Sequence, residues 1–152
     1  MFPLLPKKQF LDKDAQLKVV ACIAEAENRT TGEIRVFMEP HCKFVDPLDR
    51  AKEIFKELAM EKTVARNAVI IYIAFADRQF ALFGDAAIYE KAGGPEFWKQ
   101  AAATLSLHMR QHEYTEGLCN CIRVLGDALA THFPPDPSIQ KNELPDEIVF
   151  GK

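Results

Sequence analysis

The sequence predicts an α/β fold: a small mixed β-sheet, made of a parallel β-α-β unit plus an antiparallel hairpin, sandwiched by helices. Three observations predict it. Asn67-Ala-Val-Ile-Ile-Tyr-Ile-Ala-Phe-Ala76 is an almost unbroken apolar run with β-branched and aromatic residues, the pattern of a strand covered on both faces. Asp77-Arg78 interrupts it, and Gln79-Phe-Ala-Leu-Phe-Gly-Asp85 resumes the apolar pattern at once, which signals a hairpin. One helical stretch separates the alternating segment at Glu33 from the run at Asn67, and strand–helix–strand units are parallel and right-handed in nearly all cases.

The elements follow in order. A first helix is expected from about Asp12 to Asn28, with Asp12 as N-cap and Leu17, Val20, Ala21 and Ala24 at helical spacing. Arg29-Thr-Thr-Gly32 breaks it. Glu33-Ile-Arg-Val-Phe-Met-Glu39 alternates as a strand, with Ile34, Val36 and Met38 on one face and Glu33, Arg35, Phe37 and Glu39 on the other. Asp46-Pro47 opens a second helix, since Asp46 caps and Pro47 suits the first helical position; Leu48, Ala51, Phe55 and Leu58 form its buried stripe. The central strand and hairpin come next, then a loop from Asp85 to Gly94 with a short turn at Ala86 to Glu90.

Gly94-Pro95 begins a third helix bearing Trp98, Ala102, Leu105 and Met109 on one face. Thr115 caps a fourth, whose stripe is Leu118, Ile122, Leu125 and Leu129, and Pro134-Pro135 stops it. The whole chain, 1–152, is expected to be one domain with an N-terminal arm at 1–10 and a tail, 134–152, docked on the body. Leu144, Ile148 and Phe150 are too apolar to be left in solvent.

Composition narrows the function. Hydrophobic residues make up 48% and charged residues 27%, as in ordinary globular proteins. A net charge of −3 lacks the positive excess of a general nucleic-acid binder, so no nucleic-acid partner is expected. Met1-Phe-Pro-Leu-Leu-Pro-Lys-Lys8 lacks signal-peptide anatomy, and no window approaches the roughly 18 apolar residues of a membrane helix, so a soluble, cytoplasmic protein with no membrane segment is expected. Cys22, Cys42, Cys119 and Cys121 form no Cys-x-x-Cys unit and read as free, partly buried thiols. Cys119 and Cys121 sit roughly 200° apart around a helix and share no metal there.

Topology then makes a claim about proximity. Parallel first and second strands start at one end of the sheet, and the third strand returns to that end. Arg29, Thr30, Thr31, Glu33, Asn67 and Asp85 therefore converge at one rim, while Glu39, His41, Asp77 and Arg78 lie at the other. Two carboxylates, hydroxyls, an amide and loop carbonyls suit a hard cation, calcium or else magnesium. Glu33 and Asp85 are the expected metal ligands, and Arg29, Thr31 and Asn67 the outer or phosphate contacts. Glu143, Asp146 or Glu147 from the acidic tail could add to them. The same acids also suit helix caps, pairing with Arg29, or plain solvation.

Other motifs are weaker. His108-Met-Arg-Gln-His112 has the i, i+4 spacing of a zinc pair but lacks a third ligand and reads as solvated helix surface. The Gly84–Gly94 stretch has neither the Gly-x-Gly-x-x-Gly of a dinucleotide site nor the Lys-Ser/Thr of a P-loop, so no nucleotide cofactor is expected. No Cys-x5-Arg loop is present.

Arg29-Thr-Thr-Gly-Glu33, the Arg66–Ala74 strand, Asp77-Arg78, and Phe83-Gly-Asp85 with Ile88 occur in an order that resembles the TPM domain family, also described as phosphatase-like. The similarity runs from roughly Asp12 to Phe133, and the closing Asn142–Gly151 looks like a soluble bacterial subgroup. The resemblance implies an α/β sandwich with a Rossmann-like look, a divalent-ion site (calcium in some members), and acid-phosphatase activity as in some plant members. It matches Glu33 to the acid after Thr-Gly, Asp77 to the hairpin acid, and Asp85 to the glycine-rich stretch. Many members carry Gly-x-Gly where this chain has Phe83-Gly-Asp-Ala-Ala-Ile88, and that departure weighs against catalysis. The expected function is thus a calcium-binding interaction module with an unidentified protein partner. The alternative is a metal-dependent acid-phosphatase-like hydrolase of phosphomonoesters.

Overall fold

The computed structural model describes residues 11–92, 95–138 and 144–151. The N-terminal arm, Gly94 and Glu143 lie outside the described residues. The elements are α1 (Lys13–Glu27), β1 (Glu33–Glu39), α2 (Pro47–Glu57), β2 (Ala68–Ala74), β3 (Gln79–Gly84), α3 (Ala86–Lys91), α4 (Pro95–Arg110), α5 (Tyr114–His132) and β4 (Val149–Phe150). The sheet order is β3-β2-β1-β4. β1 and β2 are parallel, with Glu33 opposite Ala68 and Glu39 opposite Ala74. β2 and β3 are antiparallel, with Val69 opposite Gly84. This is the mixed sheet that the sequence predicts.

The period of two along each strand separates two cores. Ile34, Val36, Met38, Val69, Ile71, Ile73 and Leu82 pack against α1, α3, α4 and α5. Phe37, Ala68, Ile70, Tyr72, Ala74 and Ala81 face Ala51, Ile54 and Phe55 of α2, together with Leu144 of the tail. All seven residues of β1 and all seven of β2 are buried. Burial at 33, 35 and 39 therefore places three ionisable side chains inside the fold, which is costly unless each finds a partner.

Several local expectations are corrected. The buried face of α1 is Val19, Ile23, Ala26 and Glu27, and Leu17 is 61% exposed. Apolar residues run most of the way round this helix, so spacing leaves its rotation open and contact with α5 decides it. There a Cβ on Gly126 would stand 2.8 Å from Ala26 Cβ. In α2, Ile54 joins Ala51 and Phe55 as buried, whereas Leu48 and Leu58 are only partly covered. α5 starts at Tyr114 rather than after a Thr115 cap, and Glu113 at its N-cap makes no side-chain capping bond. The hairpin loop spans four residues, 75–78, because Phe75 N and Ala76 N donate to Glu39 O and Pro40 O instead of continuing the β2–β3 ladder.

The stretch after Asp85 is a helix, α3, capped by the Asp85 side chain, rather than a loop with a short turn. Several other local expectations are met. Asp12 and Asp46 cap α1 and α2 through their side chains. Leu118, Ile122, Leu125 and Leu129 are buried along α5, and Phe97 is buried with Trp98 packed beside it. The tail docks through buried Leu144 and partly buried Ile148, while Phe150 remains 45% exposed, contrary to expectation. It also adds a short fourth strand, parallel to β1, with Phe37 and Met38 opposite Val149 and Phe150. Among the described residues no helix is long and apolar enough to cross a membrane.

Candidate functional site at the start of the first strand

Register brings the expected residues to one rim. Glu33, Ala68 and Asp85 stand in one row, since Glu33 pairs with Ala68 and Asp85 N donates to Ala68 O at 2.9 Å. Two strand spacings put Glu33 and Asp85 about 10 Å apart at their backbones. Each carboxylate is engaged locally. Asp85 takes a bidentate pair from Arg66, Nε to Oδ2 at 2.6 Å and Nη2 to Oδ1 at 2.8 Å, and also accepts from Ala86 N at the start of α3. Arg66 is held at φ 53°, a left-handed conformation uncommon for a residue with a side chain. Beside Asp85 an open groove of about 980 Å³ is lined by Phe55, Phe83 and Tyr89 with Lys52 and Lys56.

Glu33 belongs to a different set of neighbours. Its Oε1 accepts from Leu144 N at 2.5 Å, which ties the tail to the rim. Glu27, the last residue of α1, extends its carboxyl to the edge of β1 away from β2, where Oε2 accepts from Ile34 N at 2.8 Å. Glu27 also meets the Asp146 carboxyl of the tail. Burial first, and Asp146 second, push its pKa up to about 9, against the opposing bond from Ile34 N. At neutral pH this carboxyl therefore keeps its proton, and two carboxyls lie side by side without mutual repulsion. Arg35 is buried beside them. Burial lowers its pKa, and Glu147, Glu33, Asp146 and Glu27 act in the other direction.

The loop before β1 supplies the remaining groups. Thr30 Oγ1 donates to Phe133 O at 2.5 Å and accepts from Gly32 N at 3.0 Å, fastening the loop to the end of α5. Asn67 is fully buried; its Nδ2 donates to Thr31 Oγ1 at 3.0 Å, and its Oδ1 is buried with no hydrogen-bond partner among the described residues. Arg29 turns to α5 and pairs with Asp127. The rim thus brings Glu33, Thr31 and Asn67 near one another, adds Glu27, Arg35 and Asp146, and keeps Asp85 two strands away with Arg66. Among the described residues no three His, Cys, Asp or Glu side chains form a ready metal-ligand group.

Sequence reasoning passed over Glu27 and Arg35. One signal for Glu27 was readable: an acid on the last turn of a helix opposes the helix dipole, so it needs a separate reason to be there.

At the opposite rim Glu39 and Asp77 each have close partners. Burial would raise the Glu39 pKa, but bonds from Arg50 at 2.9 Å to each oxygen and from Tyr72 OH at 2.5 Å outweigh it and hold the carboxyl below its ordinary range. Asp77 is held low by His41, whose Nδ1 lies 2.8 Å away, and by Cys42 N. The two helix histidines diverge. His108 contacts Thr104 O and Asn120, whereas His112 lies past the end of α4 at φ 59° beside Tyr114.

A three-layer α/β sandwich with ionisable groups buried at the strand-start rim is the class this geometry defines. The chain belongs to the TPM domain family, whose model matches residues 6–128. It is similar over 95% of its length to the NMR structure of BA42 from the psychrophilic bacterium Bizionia argentinensis, with 34% identity, 98% of that chain covered and a TM-score of 0.88. The N-terminal domain of cg2496 from Corynebacterium glutamicum shares the fold at 13% identity, with a TM-score of 0.63, 85% of this chain and 88% of that one covered. No curated protein matches the chain.

Proposed function

We propose that this protein is a non-catalytic, cation-responsive binding module that takes calcium, and magnesium less well, at the start of β1. The observation that carries the reading is the gathering of the Glu27, Asp146 and Glu33 carboxyls at the buried start of β1. A buried carboxyl held protonated beside a second carboxyl, with Glu33 and Glu147 close by, is a place where a divalent cation can replace the proton and relieve the burial cost. Glu33, Glu27 and Asp146 are not drawn together as a ligand group in this structure; on cation binding they would close up to supply carboxylates, with Asn67 Oδ1 a neutral oxygen. Asp85 enters the reading as the flanking acid of the same row. Because Leu144 N already occupies Glu33, binding would shift the tail, and that shift is the response. On the same reading the protein is cytoplasmic, a setting that its four free thiols support.

Thermal unfolding with calcium, magnesium or EDTA tests this. Millimolar calcium should raise the melting temperature by a few degrees, more at pH 8 than at pH 6, because the cation must displace the Glu27 proton. Glu33→Gln should abolish the rise, and Asp85→Asn shows whether the second carboxylate participates. No rise at millimolar calcium overturns the reading. A hydrolase reading has one observation in its favour: Arg35 lies among the same acids, where a phosphate would meet a guanidinium. Turnover of an aryl phosphate that is lost in Glu33→Gln would establish it in place of the non-catalytic one.

A further inference from the structure

Two of the four thiols face each other across the interface of the first and last long helices. Cys22 of α1 is half-buried, and Cys119 of α5 is 5% exposed. Both line one narrow cleft of about 20 Å³, together with Glu25, Ala26, Arg29 and Arg123. Cys119 Sγ lies 3.8 Å from Lys18 O on α1, and the Cys22 thiol is near enough to raise the Cys119 pKa. One to two turns further on, Gly126 and Ala26 bring the two backbones close, for a Cβ at 126 would meet Ala26 Cα at 3.4 Å. A disulfide requires such an approach, with Cα atoms about 4.4–6.8 Å apart. The remaining thiols have no such arrangement: Cys121 is fully buried, and Cys42 lies near the opposite rim, bonded to Phe44 O.

We infer that Cys22 and Cys119 are a redox site, a thiol pair that closes into a reversible disulfide stapling α1 to α5. The co-reactant is a low-molecular-weight disulfide. The cleft is too small to admit it fully, so the more exposed Cys22 reacts first. Its thiolate attacks one sulfur, the reagent's S–S bond breaks, and the other half leaves as a thiolate that takes up a proton. Cys119 then gives its proton to water and attacks Cys22 Sγ, expelling the second half. Two protein thiols are oxidised and one reagent disulfide is reduced to two thiols.

Local charge serves both steps. Lys18 and Arg123 favour the Cys119 thiolate, and the arginines of the cleft attract an anionic reagent. Burial and the neighbouring Cys22 thiol push the Cys119 pKa up to about 12, so closure quickens with pH.

The test uses glutathione disulfide on the full chain in EDTA, followed by intact mass and peptide mapping without reductant. The expected product has lost two hydrogens, carries a Cys22–Cys119 linked peptide and reverts with dithiothreitol. Its melting temperature rises by about 10 °C, since the closed loop is nearly a hundred residues long. Cys22→Ser and Cys119→Ser should each abolish the linked peptide. If glutathione remains on Cys22 as the end product, if the link involves Cys42 or Cys121, or if nothing reacts, the inference is overturned. The mapping of the wild-type chain decides this even where a serine variant folds poorly.

Discussion

At the scale of single residues, the buried acids carry the sharpest consequences. Glu27 binds a proton in the folded state up to about pH 9, whereas an exposed glutamate has a value of 4.5. Between these values the folded chain holds the extra proton, so stability is greatest below the lower one and falls as pH rises toward the higher, by at most about 1.4 kcal/mol per pH unit. Glu27→Gln keeps an acceptor for Ile34 N and offers an amide donor to Asp146. Melting temperatures from pH 5 to 9 should therefore fall less steeply in the variant, which should match or exceed the wild type at pH 8. At the other rim Arg50→Ala would leave the Glu39 carboxylate buried with Tyr72 as its remaining donor. Urea unfolding should show a loss of about 3 kcal/mol.

At the scale of elements, α1 and α5 form the contact least visible in the sequence. Gly126 permits the close approach, since its missing Cβ would fall 2.8 Å from Ala26 Cβ and 3.0 Å from Arg29 Nη2. Gly126→Ala should cost about 2 kcal/mol through overpacking, and Ala26→Gly in the same chain should recover part of it; a double-mutant cycle measures the coupling. The strands, by contrast, were legible. The 67–76 run read as a strand buried on both faces, which β2 is over Ala68–Ala74, and the alternation at 33–39 placed Phe37 and Met38 on opposite faces, as the two cores confirm. Helix rotation was not legible in α1, because an apolar arc that is too broad permits several packings.

At the scale of the whole molecule, the tail unites the parts. Residues 144–151 supply β4, insert Leu144 into the core under α2, donate to Glu33 and set Asp146 against Glu27. Deleting residues 144–152 should lower the melting temperature by about 10 °C or more. It should also flatten the pH dependence, because Glu27 loses the acid that helps keep it protonated. Calorimetry across pH on the truncated chain checks both outcomes.

The sequence by itself determined the first three strands, the hairpin and the rim to which Glu33, Asn67 and Asp85 return. Those features follow from periodicity and connection length, which are local. Only the tertiary structure decided that Asp85 pairs with Arg66, that Arg29 turns to Asp127, and that Glu27 and Asp146 share the rim with Glu33. These partnerships join residues far apart in the chain, and each depends on how a side chain is aimed once two elements pack. Spacing along a sequence carries no such information.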